Sequence, residues 1–286
     1  MTLNFGILFG IITMLSWGIS DFFAAKASRK IGAIKTVIWS QIIGVAVFAL
    51  IFIIFFNPIA ISSRDIIIAI ASGVLSIVGL ASLYKGFELG NISIVSPIAS
   101  SSAVVTVILS IFLLGEKISA VQETGVSLAI IGTVLVSFKI HDLIKLNLGN
   151  LASGVKYGFA AMFAFGVSYV LIDMLIHDLG WFVPVFLVKS FGLAFIIVFS
   201  ADAKEEILFP KRAANFVFIV GVLETLAFLS LGAGISIDYT SIIIPIASAF
   251  PAVTIVLAGL FFREQMDANQ KIGVAAVLCG LILLSV

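Results

Sequence analysis

Pro97-Ile98-Ala99-Ser100, followed by Val105-Thr106, recurs as Pro245-Ile246-Ala247-Ser248 and Val253-Thr254, 148 residues further along a chain of 286. The same shift, without a gap, lays Gly6, Gly10, Met14, Gly18 and Ser20 on Gly154, Gly158, Met162, Gly166 and Ser168. It lays Gly32, Gly44 and Arg64 on Gly180, Gly192 and Arg212, and Gly73-Val74-Leu75 on Gly221-Val222-Leu223. Glu116 falls on Glu264, Gly125-Val126 on Gly273-Val274, and Gly132 on Gly280. Apolar residues coincide by chance in a sequence this rich in them. Gly, Pro and Glu at one fixed offset do not, so the chain reads as an internal duplication, with residues 1–140 and 149–286 as its two units.

Composition fixes the solvent. Hydrophobic residues make up 62% and charged residues 11%, too little charge to cover a water-soluble surface. A helix crosses the hydrocarbon core with about 20 mostly apolar residues. Ten such runs fit, at 5–25, 35–56, 65–86, 92–114, 119–138, 152–173, 182–200, 214–236, 241–262 and 268–286. They are continuous rather than alternating, which excludes a strand barrel. The opening Met1-Thr2-Leu3-Asn4-Phe5 has no basic region, so the first run reads as a retained span. Cys279 is the single cysteine, which leaves no disulfide framework. A net charge of +1 offers no basic face to nucleic acid.

Five spans per unit is an odd number, so the second unit enters the bilayer from the opposite side. Charge supports the inversion. Lys26, Arg29, Lys30 and Lys35 follow span one, whereas the matching positions after span six are Met174, His177, Asp178 and Val183. Conversely, Arg64 alone follows span two, while Lys204, Lys211 and Arg212 follow span seven. Basic character has changed sides, as the positive-inside rule requires of an inverted copy. The expected fold is an all-α integral membrane protein of ten transmembrane helices in two inverted five-helix repeats, an architecture of secondary transporters. Twelve basic residues fall on one face: Lys26, Arg29, Lys30, Lys35, Lys85, Lys139, Lys145, Lys204, Lys211, Arg212, Arg263 and Lys271. Only Arg64 and Lys117 fall on the other. The count makes the rich face cytoplasmic and places both termini outside.

The chain resembles the drug/metabolite transporter superfamily, specifically its EamA-type ten-helix members. The resemblance rests on Trp17-Gly18, Pro97, Leu113-Leu114-Gly115-Glu116-Lys117, Gln122, Gly125 and Gly132. The second copy supplies Pro245, Phe261-Phe262-Arg263-Glu264, Gln270, Gly273 and Gly280. It implies an inverted five-plus-five bundle around a central cavity and leaves the substrate open, since the superfamily carries amino acids, sugars, nucleotide sugars, drugs and other metabolites. It also implies cytoplasmic termini, against the charge count, and the count is followed here.

An ionisable side chain at mid-bilayer costs about 2.5–3.5 kcal/mol on insertion scales and so needs a reason. Lys189 and Glu224 sit near the middle of the antiparallel spans seven and eight and can neutralise each other. They either brace two helices or form a site, Glu224 for a proton or substrate amine and Lys189 for a substrate carboxylate. Their repeat counterparts, Gln41 and Ser76, are polar but uncharged. Asp21 shares a helix face with Gly6, Gly10, Trp17 and Gly18; it either lines the cavity mouth or, in the plainer reading, pairs with Lys26. Pro97, Pro245 and Pro251 are expected to kink spans four and nine, and Ser96, Ser100 and Ser248 lie among the hydroxyls around those kinks. Trp17, Tyr84, Tyr157 and Tyr169 add faces for stacking a ring or an amine, although most aromatics of a chain with 26 Phe pack or face lipid. The expected substrate-binding set is thus Trp17, Asp21, Gln41, Tyr84, Ser96, Ser100, Tyr169, Lys189, Glu224 and Ser248. The cavity walls are expected from spans one, three, four, six, eight and nine.

Glu116 and Glu264, where spans four and nine end, read as structural, capping or fixing the tight turn into the next helix. The sequon at Asn91 abuts the membrane on the cytoplasmic side and is discounted. No nucleophile–base arrangement is present, His141 and His177 have no partners at metal spacing, and no Walker-type loop occurs. No enzyme activity, metal or cofactor is expected. The reading is a secondary transporter in the cell membrane, a monomer or homodimer, that exports or exchanges a small organic metabolite such as an amino acid or amine by alternating access, with proton or exchange-substrate coupling. An uncoupled facilitator is the alternative, as is a non-transporting membrane protein such as a lipid scramblase.

Overall fold

The computed structural model describes residues 5–55, 60–90, 92–136, 148–202, 208–254, 256 and 267–284, and among these no strand occurs. The first unit holds α1 (Phe5–Ile31), α2 (Ala33–Phe55), α3 (Ser63–Leu89), α4 (Ile92–Ser100), α5 (Ser102–Leu109), a π-helical turn (Ser110–Leu114) and α6 (Ala120–Val136). The second holds α7 (Leu148–Leu179), α8 (Phe182–Asp202), α9 (Ala214–Ile235), α10 (Thr240–Ala247) and α11 (Ala268–Leu284). Among the described residues seven helices are long and apolar enough to cross a membrane, and Ala120–Leu135, Thr240–Thr254 and Ala268–Leu284 are shorter apolar helices. Asn91, Lys139, His141, Lys145, Lys204, Phe261, Phe262, Arg263 and Glu264 lie outside the described residues.

Helix is the local outcome because a chain in lipid must satisfy its backbone within each span. Side chains sort accordingly. Ile53 and Phe112 are 79% and 81% exposed, whereas Thr13, Ser20, Ser72 and Ser168 are fully buried. Small polar groups go inward among buried apolar side chains, and the outer surface carries large apolar residues, as lipid requires. Helix ends carry the repeat as well. Gly32 and Gly180 turn the chain at φ +85° and +74° between α1 and α2 and between α7 and α8. Ser119 and Gln122 form a reciprocal cap at the start of α6, with Ser119 N–H donating to Gln122 Oε1 at 2.9 Å. At the same offset Asp267 N–H donates to Gln270 Oε1 at 3.1 Å. Both resembling glutamines are therefore helix caps.

Packing between the units is a set of exchanges. A Cβ on Gly18 would meet Val253 and the Phe250 carbonyl; one on Gly166 would meet Val105 and the Ser102 carbonyl. Thr254 donates to the Gly18 carbonyl at 2.9 Å, and Thr106 donates to the Gly166 carbonyl at 3.2 Å. These contacts between a residue of one unit and a residue of the other recur between their counterparts, as a pseudo-two-fold relation of the units requires. α1 runs antiparallel to α9, with Thr13 bonded to the Ala227 carbonyl and Phe23 stacked on Phe216. α3 runs antiparallel to α7 in the same way, Ser72 meeting Ser168 at 3.0 Å and Gly90 meeting Gly154. α6 and α11 pack on each other, Gly132 against Val277 and Gly280 against Ala129.

The two ends of the bundle differ. At one, Glu88 accepts the Ala33 N–H and pairs with Lys85 at 2.8 Å, while Arg29 donates to the carbonyls of Phe87 and Gly90. At the other, Arg64 pairs with Asp178 at 3.6 Å, and Glu116 accepts the N–H groups of Thr240 and Ser241, both at 2.9 Å. Glu116 therefore caps α10 of the opposite unit, not the turn that follows it.

Candidate functional site

Where the units meet lies a central cavity. Four helices turn residues one helical turn apart into it: Trp17 and Asp21 from α1, Ser76 and Leu80 from α3 with Ile77 and Leu83 beside them, Phe165 and Tyr169 from α7, Glu224 and Phe228 from α9. Gln41 of α2, Lys189 of α8, Ser102 at the start of α5 and Phe250 complete the wall. Twelve of these fourteen residues are six repeat pairs: Trp17 with Phe165, Asp21 with Tyr169, Gln41 with Lys189, Ser76 with Glu224, Leu80 with Phe228, and Ser102 with Phe250. The scaffold is duplicated, but no charge in it is.

The charges are buried together. Lys189 Nζ lies 3.2 Å from Glu224 Oε2 and 3.8 Å from the centroid of the Phe228 ring, so its ammonium is held by a carboxylate and an aromatic face. Asp21, 2% exposed, is within electrostatic reach of Glu224, and its Oδ2 has no hydrogen-bond partner. Trp17 stands edge-on to Phe228 at 5.7 Å and to Phe250 at 6.1 Å, and lies 5.8 Å from Tyr169, which stacks on Phe165 at 6.0 Å. The result is an apolar, aromatic cage with two carboxylates and one ammonium in its wall. The lining suits a small organic ligand with a few placed polar groups.

Of the expected residues, Trp17, Asp21, Gln41, Tyr169, Lys189 and Glu224 line this cavity. Asp21 does not pair with Lys26. One face of α1 turns the carboxylate inward beside Trp17, while Lys26 stands 4.1 Å over the Phe22 ring. Tyr84 does not line the cavity either. It lies one turn beyond Leu80, fully buried against Phe87, its hydroxyl without a partner. Ser100 and Ser248 line a separate small cavity with Pro245 and Thr133. Ser96 is buried without a partner.

The hydroxyls were displaced by the breaks beside them. α4 ends at Ser100 and α5 begins at Ser102, and the Pro97 carbonyl takes the Ser101 N–H and the hydroxyls of Ser100 and Ser101. α10 likewise ends at Ala247, and helix resumes over 250–254. Pro97 and Pro245 thus each precede an interruption. Pro251 instead opens the resumed segment, where a missing N–H costs little, so it starts a helix and makes no kink. The cavity wall also includes spans two and seven, through Gln41 and Lys189, beyond the six spans expected. Phe165, Phe228, Phe250, Ser102 and Leu80 were not anticipated as lining, nor were Ile77 and Leu83, and Ser76 was noted only as the counterpart of Glu224. The signal that finds Phe165, Ser102 and Phe250 directly is the repeat itself, applied to Trp17 or combined with the break after Pro97.

A model of the EamA-like transporter family matches residues 4–138 and, a second time, residues 152–286. An uncharacterized protein of Methanocaldococcus jannaschii is 31% identical over 131 residues, which cover 46% of this chain and 95% of that protein. That relative is therefore about the length of one repeat. A crystal structure whose description names no function superposes with a TM-score of 0.75 at 15% identity, covering 97% of this chain and 94% of its own. It is similar in fold.

Proposed function

The chain belongs to the EamA-like transporter family, and from that premise we propose that it is a secondary transporter moving a small organic metabolite, an amino acid or an amine, by alternating access. Ten spans cross the cell membrane, and the unit of residues 149–286 is inverted relative to that of residues 1–140. The two units rock about the central cavity to open it to either side in turn, for export or exchange, with a proton or an exchanged substrate as the coupled species. One observation carries this reading: twelve of the fourteen residues in the cavity wall form six pairs related by the repeat, contributed by both units. Relative motion of the units must then reshape the site from both sides at once. The antiparallel pairing of α1 with α9 and of α3 with α7 supports the inversion.

Purified protein in liposomes, offered amino acids, amines and sugars with and without a pH gradient, tests the reading. Saturable flux of one class above that of protein-free vesicles is the expected result. The absence of such flux for every class would overturn it. Flux unchanged by Glu224→Gln and by Lys189→Ala would remove the proposed site from the pathway.

A further inference from the structure

We propose that the ligand of the central cavity is an organic monocation with an aromatic or apolar body, its ammonium seated on Asp21 inside the aromatic cage; this rests on the transport reading above and narrows its substrate class.

Charge is the first argument. Asp21 and Glu224 face the cavity against Lys189 alone, so two carboxyl groups share one ammonium, and with all three ionised the wall carries one negative charge in excess. A zwitterion would leave that excess in place and an anion would add to it. A monocation cancels it. Partnering is the second. Glu224 is engaged by Lys189 at 3.2 Å, and the Lys189 ammonium is also covered by Phe228 at 3.8 Å. Little of that ammonium remains for a substrate carboxylate. Asp21 is the carboxylate without a donor: the residue lines the cavity, and its Oδ2 is buried and unpartnered. An orphaned acceptor in a low-dielectric wall is costly unless something brings it a hydrogen bond.

The surroundings of Asp21 describe what brings it. Trp17 lies one turn away on the same helix face, Tyr169 occupies the repeat counterpart of Asp21, and Phe228 and Phe250 meet the Trp17 ring edge-on. Ring faces attract a cation by their quadrupoles, most strongly when it is desolvated, and they take up an apolar body. Asymmetry fits as well. Asp21 and Tyr169 are related by the repeat, so one unit supplies the carboxylate and the other a ring at the equivalent position. A single ammonium is placed in one orientation.

The test uses three ligands with the same body and different charge: phenethylamine, phenylalanine and 3-phenylpropionate, titrated calorimetrically into the purified full chain. Phenethylamine is expected to bind, phenylalanine about tenfold more weakly or not at all, and 3-phenylpropionate not at all. Asp21→Asn should weaken phenethylamine about tenfold or more, with Asp21→Glu retaining part of the affinity. The comparison among ligands needs no variant, so misfolding of Asp21→Asn does not obscure it. Phenylalanine binding as tightly as phenethylamine, or no binding of the amine, overturns the monocation. The same ligands offered to protein in liposomes separate the two readings. Amino-acid flux without amine binding leaves transport standing and sinks this inference. Asp21-dependent amine binding without flux of any solute does the opposite.

Discussion

Lys189 and Glu224 form an ion pair of 3.2 Å, buried at 5% and 3% exposure, on two positions whose repeat counterparts are Gln41 and Ser76. The duplicated frame holds a polar but neutral pair of residues in one unit and a charged pair in the other. Buried ion pairs gain little over apolar residues of similar volume, whereas breaking one strands a charge. Packing alone therefore gives no reason for this pair, and its position in the cavity wall does.

Lys189→Met leaves Glu224 without its cation and is expected to lower stability by about 3–5 kcal/mol. Lys189→Met with Glu224→Leu should recover most of that loss while transport stays abolished. Unfolding followed in detergent gives the first quantity and liposome flux the second. A double variant no more stable than the single one would show that the two side chains are not one energetic unit.

Gly18 and Gly166 should respond alike. A Cβ at Gly18 would come within 2.6 Å of Val253 and 2.8 Å of the Phe250 carbonyl, and one at Gly166 within 2.6 Å of Val105 and 3.2 Å of the Ser102 carbonyl. Alanine at either position pushes an entry helix from the broken helix of the other unit, at an expected loss of about 1–3 kcal/mol. Gly32→Ala meets nothing within 4 Å and bears only the strain of φ +85°, about 1–2 kcal/mol, so flux by the surviving protein should be normal. Thermal melts of the three variants, paired with flux, check this. Normal stability of Gly18→Ala beside a damaged Gly166→Ala would break the equivalence.

Much of this was legible because the sequence repeats its punctuation. Gly, Pro and Glu at a single offset exposed the duplication, and the apolar runs located the helices, since a long continuous apolar run reads as a spanning helix and not as a barrel strand. The Lys189–Glu224 pair was legible because two opposite charges at mid-span have few other partners. Asp21 was harder: spacing along one helix allowed Lys26 as a partner, and only the packing of α1 against α9 shows that Asp21 faces inward. Ser100 and Ser248 were misplaced for a related reason. The breaks beyond Pro97 and Pro245 reset the helix faces that periodicity would extrapolate, and bring Ser102 and Phe250 to the cavity instead.

Glu116 supplies a cap across the unit boundary. Its two carboxylate oxygens accept the N–H groups of Thr240 and Ser241, each at 2.9 Å, at the positive end of α10. Glu116→Ala removes both acceptors and should cost about 0.5–2 kcal/mol, while the substrate concentration for half-maximal flux stays at the wild-type value. A shift in that concentration with no loss of stability would assign Glu116 to the pathway.

Orientation follows from the ends of the bundle. Lys211, Arg212 and Lys30 belong to the basic end, Lys30 standing 4.7 Å over Phe216, whereas exposed Ile237 lies between α9 and α10 at the end of Arg64. The positive-inside rule puts Lys211 in the cytoplasm and Ile237 outside. In a Cys279→Ser background, needed because Cys279 is exposed, Ile237→Cys should react with an impermeant maleimide added to intact cells. Lys211→Cys should react only after permeabilisation. Each site is the control for the other, because the two cap opposite ends of one helix, α9, and cannot face the same side. The reversed pattern would place the basic end outside and set this chain against the rule that its charge exchange between units otherwise obeys.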